Sequence, residues 1–408
     1  MKKLHLFEGF GVELEYMIVN QKTLQIMPIA DELLREVTGI ITADFENGEI
    51  AWSNELVTHV IELKTNGPAE SLAGLSEKFA ENITQINNLL QKFGAMLLPT
   101  AAHPFMNPLL ETKIWPHEYN EVYSLYNSIF DCKGHGWSNL QSTHINLPFA
   151  DDAEFEKLHA AIRVLLPIIP ALSASSPIID KSATGFKDTR LEYYRTNQKK
   201  LPAIAGLVIP EQVFSQKDYQ EKIFDIIKKQ VSPFDKNNIL DQHFLNSRGA
   251  IARFDRGAIE IRIIDIQECP AADLAILELI VLTLKMLISE KWKSIEHLKT
   301  WNEKVLSNIF LPIIKHADQS IISNKDFLSI YGISNSEILA LDLWKDILNQ
   351  VKVQMSSQGL KHISVILQNG CLATRMLNFL NNDFSKTNMD TLYFKLAKSL
   401  NENKIFLV

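Results

Sequence analysis

Four short segments carry charged or polar groups at every second position between strongly apolar neighbours. They are Val12-Glu13-Leu14-Glu15-Tyr16, Val60-Ile61-Glu62-Leu63-Lys64, Thr143-His144-Ile145-Asn146 and Ile259-Glu260-Ile261-Arg262-Ile263. A period of two is the pattern of a β-strand, and side chains two apart point the same way. Each segment therefore has one apolar and one polar face. If the four are neighbours in one antiparallel sheet, a single face collects four glutamates, a histidine and an arginine. An ordinary wet sheet face also alternates, so no segment decides the matter alone. Two features of the set favour a site. The flanks (Val60, Ile61, Ile259, Ile261, Ile263, Ile264) suit central strands, and carboxylates dominate where a solvated face would mix Lys, Thr and Ser. Clustered carboxylates repel, and raise one another's pKa, unless cations lie between them. Hard cations answer this, and Mg²⁺ is commonly held by a few carboxylates together with substrate phosphates. An arginine among the acids suits a phosphate or carboxylate clamp.

The chain has 408 residues, with Lys+Arg 41 against Asp+Glu 48, a net charge of −7. That balance argues against nucleic acid as the main partner. The three cysteines, Cys132, Cys269 and Cys371, form no C-x-x-C pair and fit a reducing cytosol. The N-terminus lacks the apolar run of a signal peptide. The greasiest stretches, Leu274–Ile288 and Leu165–Ile179, are interrupted by Glu278 and Lys285 or by prolines, and read as core rather than bilayer spans. A cytoplasmic protein without membrane partners is expected. No repeat or flexible linker divides the chain. The expectation is one domain over 1–408, strand-rich to about residue 270 and mainly helical over 271–408.

Strands are predicted at 11–19, 95–101 and 140–147, and a hairpin at 253–265 around Asp255-Arg256-Gly257. Apolar spacing predicts helices over 68–93, with Pro68 at its start, over 153–169, and at about 271–290, 335–356 and 388–402. The polar run 181–200 reads as a loop over a pocket. Several chemistries are excluded. There is no phosphate-binding G-x-x-x-x-G-K-[ST] loop, no H-E-x-x-H and no G-x-S-x-G. Gly9-Phe10-Gly11 fails as a dinucleotide fingerprint because Leu14 stands where the third glycine belongs.

The segments, in order, resemble the glutamate–cysteine ligase type 2 family. These are carboxylate–amine ligases with a glutamine synthetase-like catalytic fold. The resemblance is carried by Gly11–Glu15, Ile61–Pro68, His103-Pro104-Phe105, Leu140–Phe149, Ala171–Pro177, Thr184–Arg190 and Ile259–Asp265. It implies an α+β fold of the glutamine synthetase/guanido kinase-like class. The sheet is curved and mostly antiparallel, with one face lining the active site and helices on the other. It also implies ATP as co-substrate, Mg²⁺ or Mn²⁺, and an acyl phosphate on the way to an amide. Glutamate would be the acid and cysteine the leading amine, a step of glutathione biosynthesis. A homodimer is expected by the same analogy.

By position, the resemblance makes Glu13, Glu15, Glu62, His144 and Glu260 metal ligands. Arg262 would lie beside the transferred phosphate. Glu55 sits seven residues before Glu62, an odd spacing that requires a turn or bulge to reach the same face. Arg190 and Tyr194 fall where family members contact substrate. Asn146 replaces a second histidine found in many carboxylate–amine ligases, which is closer to true glutamate–cysteine ligases. Arg248 and Arg253 are phosphate candidates or plain salt-bridge arginines. Two other readings stay open: a small-metabolite kinase on the same fold, and a nucleotide-binding regulatory protein that has lost catalysis.

Overall fold

The computed structural model describes residues 3–408. Its main sheet contains β1 (Gly11–Asn20), β2 (Asp44–Asn47), β3 (Ile50–Asn54), β4 (Val60–Thr65), β5 (Ala95–Leu98) and β6 (Ser142–Pro148). A small hairpin of β7 (Ile178–Ile179) and β8 (Ser182–Ala183) lies outside it, and β9 (Ala250–Arg253) and β10 (Ala258–Asp265) complete it. The order is β2-β3-β4-β1-β6-β10-β9, with β5 paired to the far end of β1. All these pairings are antiparallel. The four alternating segments are thus adjacent strands, which meets the condition for one shared polar face, and the 253–265 hairpin forms with Gly257 at φ 65°.

One sheet face is apolar. Val12, Leu14, Tyr16, Ile61, Leu63, Ile145, Leu147, Ile259 and Ile261 are all buried there. They share a core with the helices Leu75–Leu90, Asp152–Leu165 and Pro270–Ile288. Pro270–Ile288 is apolar on nearly every side, as suits a helix enclosed by others.

The opposite face is divided. Near the start of β1 it carries the acids. Further along, Met17 and Val19 of β1, Val60 of β4 and Leu98 of β5 turn it apolar. There the C-terminal helices Leu372–Leu380 and Lys386–Glu402 cover it, through Met376, Met389, Leu392 and Leu396. Helices therefore pack on both faces, where only one was expected. The cause is that β1 continues past its polar segment and exposes side chains that need cover.

Other boundaries differ for local reasons. The helix expected from Pro68 begins at Leu75, because Ala69 is engaged in a backbone bridge with Phe10 (2.8 and 2.9 Å). Within the polar run 181–200, Thr189–Asn197 is helical, capped by Asp188, whose carboxylate accepts from Leu191 N at 2.9 Å. Helices Glu303–His316, Ser357–Asn369 and Leu372–Leu380 add to those expected in the last third. No helix among the described residues is long and apolar enough to cross a membrane.

Two buried ion pairs fasten the C-terminal third to the strand-rich part. Lys187 Nζ lies 2.7 Å from Asp318 Oδ1 and 2.7 Å from Thr374 Oγ1. Arg375 pairs with Glu268 and also donates to Phe406 O at 2.6 Å, while Phe406 N donates to Glu268 at 3.1 Å. Arg375→Ala leaves Glu268 charged, buried and unpaired, which costs about 3–5 kcal/mol. Urea unfolding should show a clearly lower midpoint, largely restored in Glu268→Gln/Arg375→Met. A wild-type midpoint for Arg375→Ala would contradict this role.

Candidate active site

The register brings the acids together. Glu13 stands opposite Lys64 on β4 and His144 on β6; Glu15 stands opposite Glu62; Asn146 faces Glu260. Strands β1 and β6 close tightly here because residue 11 is glycine. A Cβ at Gly11 would lie 2.9 Å from Asn146 Cβ.

His144 is the centre. Its Nδ1 is 2.9 Å from Glu13 Oε2 and 3.7 Å from Glu260 Oε1; its Nε2 is 3.8 Å from Glu15 Oε1. Two groups of donors, Glu13–His144–Glu260 and Glu15–Glu62–His144, each have ligand atoms within 4.8 Å of one another. Four carboxylates and one imidazole make a donor set suited to a hard divalent cation. Burial lowers the His144 pKa, though Glu15 and Glu260 pull the other way, so a ring nitrogen is free of a second proton. Burial pushes the Glu15 carboxyl up, and Glu62 adds to this against the opposing effect of His144.

The surroundings fix these groups. Ser142 donates to Glu15 Oε2 from both its backbone N (2.7 Å) and its Oγ (3.1 Å), and its Oγ is 2.8 Å from His144 Nε2. Glu62 Oε1 accepts from Ser53 Oγ at 2.7 Å and from Lys64 Nζ at 3.0 Å. Asn146 donates to Glu13 Oε1 at 3.0 Å. Ser142 lies two residues before His144 on the same strand face, so the period-two rule reaches it. Ser53 was not readable in this way, because only pairing with Glu62 across β3 and β4 gives it a role.

Arg262 is placed by a β-bulge. Ile261 pairs with Ile145 and Ile264 with Thr143, so Arg262 and Ile263 together oppose His144. Arg262 Nε lies 2.9 Å from Glu260 Oε1 but is not aligned to hydrogen-bond it. Burial opposes its charge, yet Tyr194, Glu260, Glu15 and Glu13 together hold the guanidinium firmly protonated. The extra residue also turns Asp265 to the site side, opposite Ser142. There Asp265 accepts from Ser175 N (2.9 Å) and Ser176 Oγ (2.8 Å) and pairs with Arg190 at 3.4 Å.

The other candidates separate. Arg190 is buried, donates to Arg262 O at 2.6 Å and lies 5.8 Å from the Tyr194 ring. Tyr194 reaches back to Arg248 O at 3.5 Å. Arg248 itself is held by both oxygens of Glu211 (2.5 and 2.6 Å) and by Ala203 O, which leaves it as a structural pin in this arrangement. Arg253 shares the site face but pairs with Asp255 at the hairpin tip. Glu55, just past β3, stands outside both donor groups. Burial, then Glu15 and Glu62, hold its carboxyl well above the ordinary 4.5.

Below that ordinary value Glu55 is protonated folded or unfolded. Above it, the unfolded chain ionises first, so ionisation favours unfolding. Glu55→Gln should therefore raise the urea midpoint of chelator-treated protein at pH 7.5, and by less at pH 5. A difference that is flat or reversed with pH would refute the assigned environment.

The sequence pattern described as Glutamate-cysteine ligase family 2 matches residues 9–312. An uncharacterised protein of Archaeoglobus fulgidus is 36% identical over 69% of this chain and 75% of its own. A protein of Bradyrhizobium diazoefficiens, provisionally named glutamate–cysteine ligase 2, is 26% identical over 55% of this chain and 48% of its own. Among solved structures, the bifunctional glutathione synthetase from Pasteurella multocida shares the fold at TM-score 0.61 and 14% identity. That match covers 97% of this chain and 53% of the synthetase. The chain thus spans about half the length of that synthetase and of the Bradyrhizobium relative. The glutamate–cysteine ligase of Francisella tularensis, solved with AMP, aligns at TM-score 0.55 and 11% identity over 98% of this chain and 90% of its own. With the family pattern covering most of its length, this chain belongs to glutamate–cysteine ligase family 2, a family of ATP-dependent ligases.

Proposed function

We propose that the protein joins the γ-carboxylate of glutamate to an amine, with cysteine the leading amine, at the expense of ATP. The observation that carries this reading is the pair of overlapping acid–histidine groups sharing His144, with the Arg262 guanidinium against Glu260. The γ-phosphoryl group of ATP passes to a carboxylate oxygen and ADP leaves. The amine nitrogen then displaces phosphate, forming the amide and losing a proton. Little covalent chemistry falls to the protein, whose work is positioning and charge neutralisation.

Glu13, Glu15, Glu62, His144 and Glu260 would hold Mg²⁺ or Mn²⁺, with Glu55, outside both donor groups, the further metal candidate. Such ions offset the charge of the triphosphate and the incoming carboxylate. Lys64 and Ser53 keep Glu62 aimed. Ser142 orients Glu15 and the His144 ring. Arg262, charged and with donors not spent on Glu260, stabilises charge on the moving phosphoryl group. Arg190 and Tyr194 support Arg262 from behind, and Arg190 fixes its carbonyl. Asn146, which already donates to Glu13, borders the substrate side; Arg253 is the further phosphate candidate on this face. A glutamine synthetase-like class and a single catalytic unit fit the antiparallel sheet and the core it shares with the C-terminal helices.

Purified protein with Mg·ATP should release ADP only when glutamate and a suitable amine are both present, and mass detection should show a γ-glutamyl amide. A stable phosphorylated product without amide would move the reading to a kinase, and ATP turnover indifferent to both substrates would overturn it. Arg262→Ala should lower kcat about 10²–10³-fold, in line with loss of a preorganised donor at developing charge. Unchanged kcat would remove Arg262 from the phosphoryl site.

A further inference from the structure

A second cavity, of about 650 Å³, opens at the other end of β1. Five residues of strand, about 17 Å at ~3.3 Å each, separate Glu15 from Asn20, where β1 ends before the cavity wall begins. The fully buried Met17 and Leu98 and the nearly buried Val60 fill the sheet face between the two sites. The cavity is therefore separate from the acidic cluster.

Its lining joins two chemistries. Lys22, Lys181 and Lys386 supply ammonium groups; Phe105, Phe384 and Leu110 supply apolar surface. Lys22 and Lys181 have no ion-pair partner among the described residues, and Lys386 pairs with Asp390 at 2.5 Å while lying 5.4 Å from the centre of the Phe105 ring. Glu111 is the one acid in the lining, and its carboxylate is engaged by Asn107 N at 2.6 Å. His103 adds no charge at neutral pH, since burial pushes it down to about 4. In a chain of net charge −7, this concavity carries two lysines without an ion-pair partner and a third shared with Asp390, against one acid in the lining. Uncompensated like charges around a concavity favour an anion.

Lys181 shows a further cost. Asp180 and Lys181 form the tip of the β7–β8 hairpin with φ 51° and 66°, a left-handed pair that a hairpin normally fills with Asn-Gly. Lys181 N is held by Pro104 O at 2.9 Å. A lysine kept where glycine would be relaxed is a strained choice, and such strain gathers at ligand sites.

We propose that this cavity binds a small molecule with an anionic head and an apolar or aromatic body. The head is met by Lys22 and Lys181, with Lys386 shared between it and Asp390, and the body lies against Phe105, Phe384 and Leu110. The volume fits, since small-molecule pockets run roughly 300–1,000 Å³. The pocket draws residues from both the family-matched part and the C-terminal helix Lys386–Glu402 beyond it. The proposal stands independently of the ligase reading.

The test uses 8-anilinonaphthalene-1-sulfonate, an aromatic sulfonate, as probe of the full-length protein, titrated by fluorescence and calorimetry. The expected result is one saturable site, unaffected by saturating Mg·ATP, with the uncharged N-phenyl-1-naphthylamine binding at least tenfold more weakly. Lys181→Gly removes the ammonium and relaxes the backbone. It should weaken the probe at least fivefold without lowering the thermal midpoint. Lys22→Gln/Lys386→Gln should weaken it further. Wild-type affinity in both variants, equal binding of the uncharged analogue, or no saturable binding would each overturn the proposal.

Discussion

Like charges on one sheet face repel, and the structure depends on holding four glutamates there against that repulsion. Backbone register does the holding. Glu15 opposite Glu62, and Glu13 opposite His144, are rungs of the ladder and cannot drift apart without breaking main-chain hydrogen bonds. The field between the acids is answered locally by Lys64, Arg262 and the donors of Ser53 and Ser142. These partners leave oxygens pointing into a shared space. That is the condition for binding cations rather than quenching the acids in salt bridges.

The bulge in β10 gives the site its second layer. One extra residue sets Arg262 against the acids, and then turns Asp265 to the same side. Asp265 gathers Ser175, Ser176 and Arg190, and Arg190 returns to the carbonyl of Arg262. Sequence blocks far apart in the chain thus meet in one network. The Ala171–Pro177 stretch supplies the serines, and the Thr184–Arg190 stretch supplies the helix cap Asp188 and the arginine.

The strands and the acidic face were legible because their signal is local. Period-two alternation fixes which side chains share a face, and strong flanks mark central strands. Adjacency was a conjecture that composition alone does not decide. What was not legible depends on partners distant in sequence. Pro68 resembles a helix start until Phe10 claims its neighbour Ala69. The polar run after residue 181 resembles a loop until Asp188 caps a helix in it. Arg248 and Arg190 are equal as letters. Glu211 consumes one, and the bulge places the other behind Arg262. The cover supplied by the C-terminal helices was hidden too, because its cause is the length of β1.

The tight alternation has a consequence for how the chain reaches this state. A one-residue slip of β1 against its neighbours would exchange its two faces. Glu13 and Glu15 would enter the layer of Leu63, Ile145 and Ile261, while Val12 and Leu14 would meet the remaining carboxylates. Burying an unpaired carboxylate among aliphatic side chains is far more costly than misplacing a serine or threonine. The residues that assemble the site thereby also penalise a misaligned strand. In a chain of 408 residues built around one antiparallel sheet, an acidic face thus also bears on how the strands align.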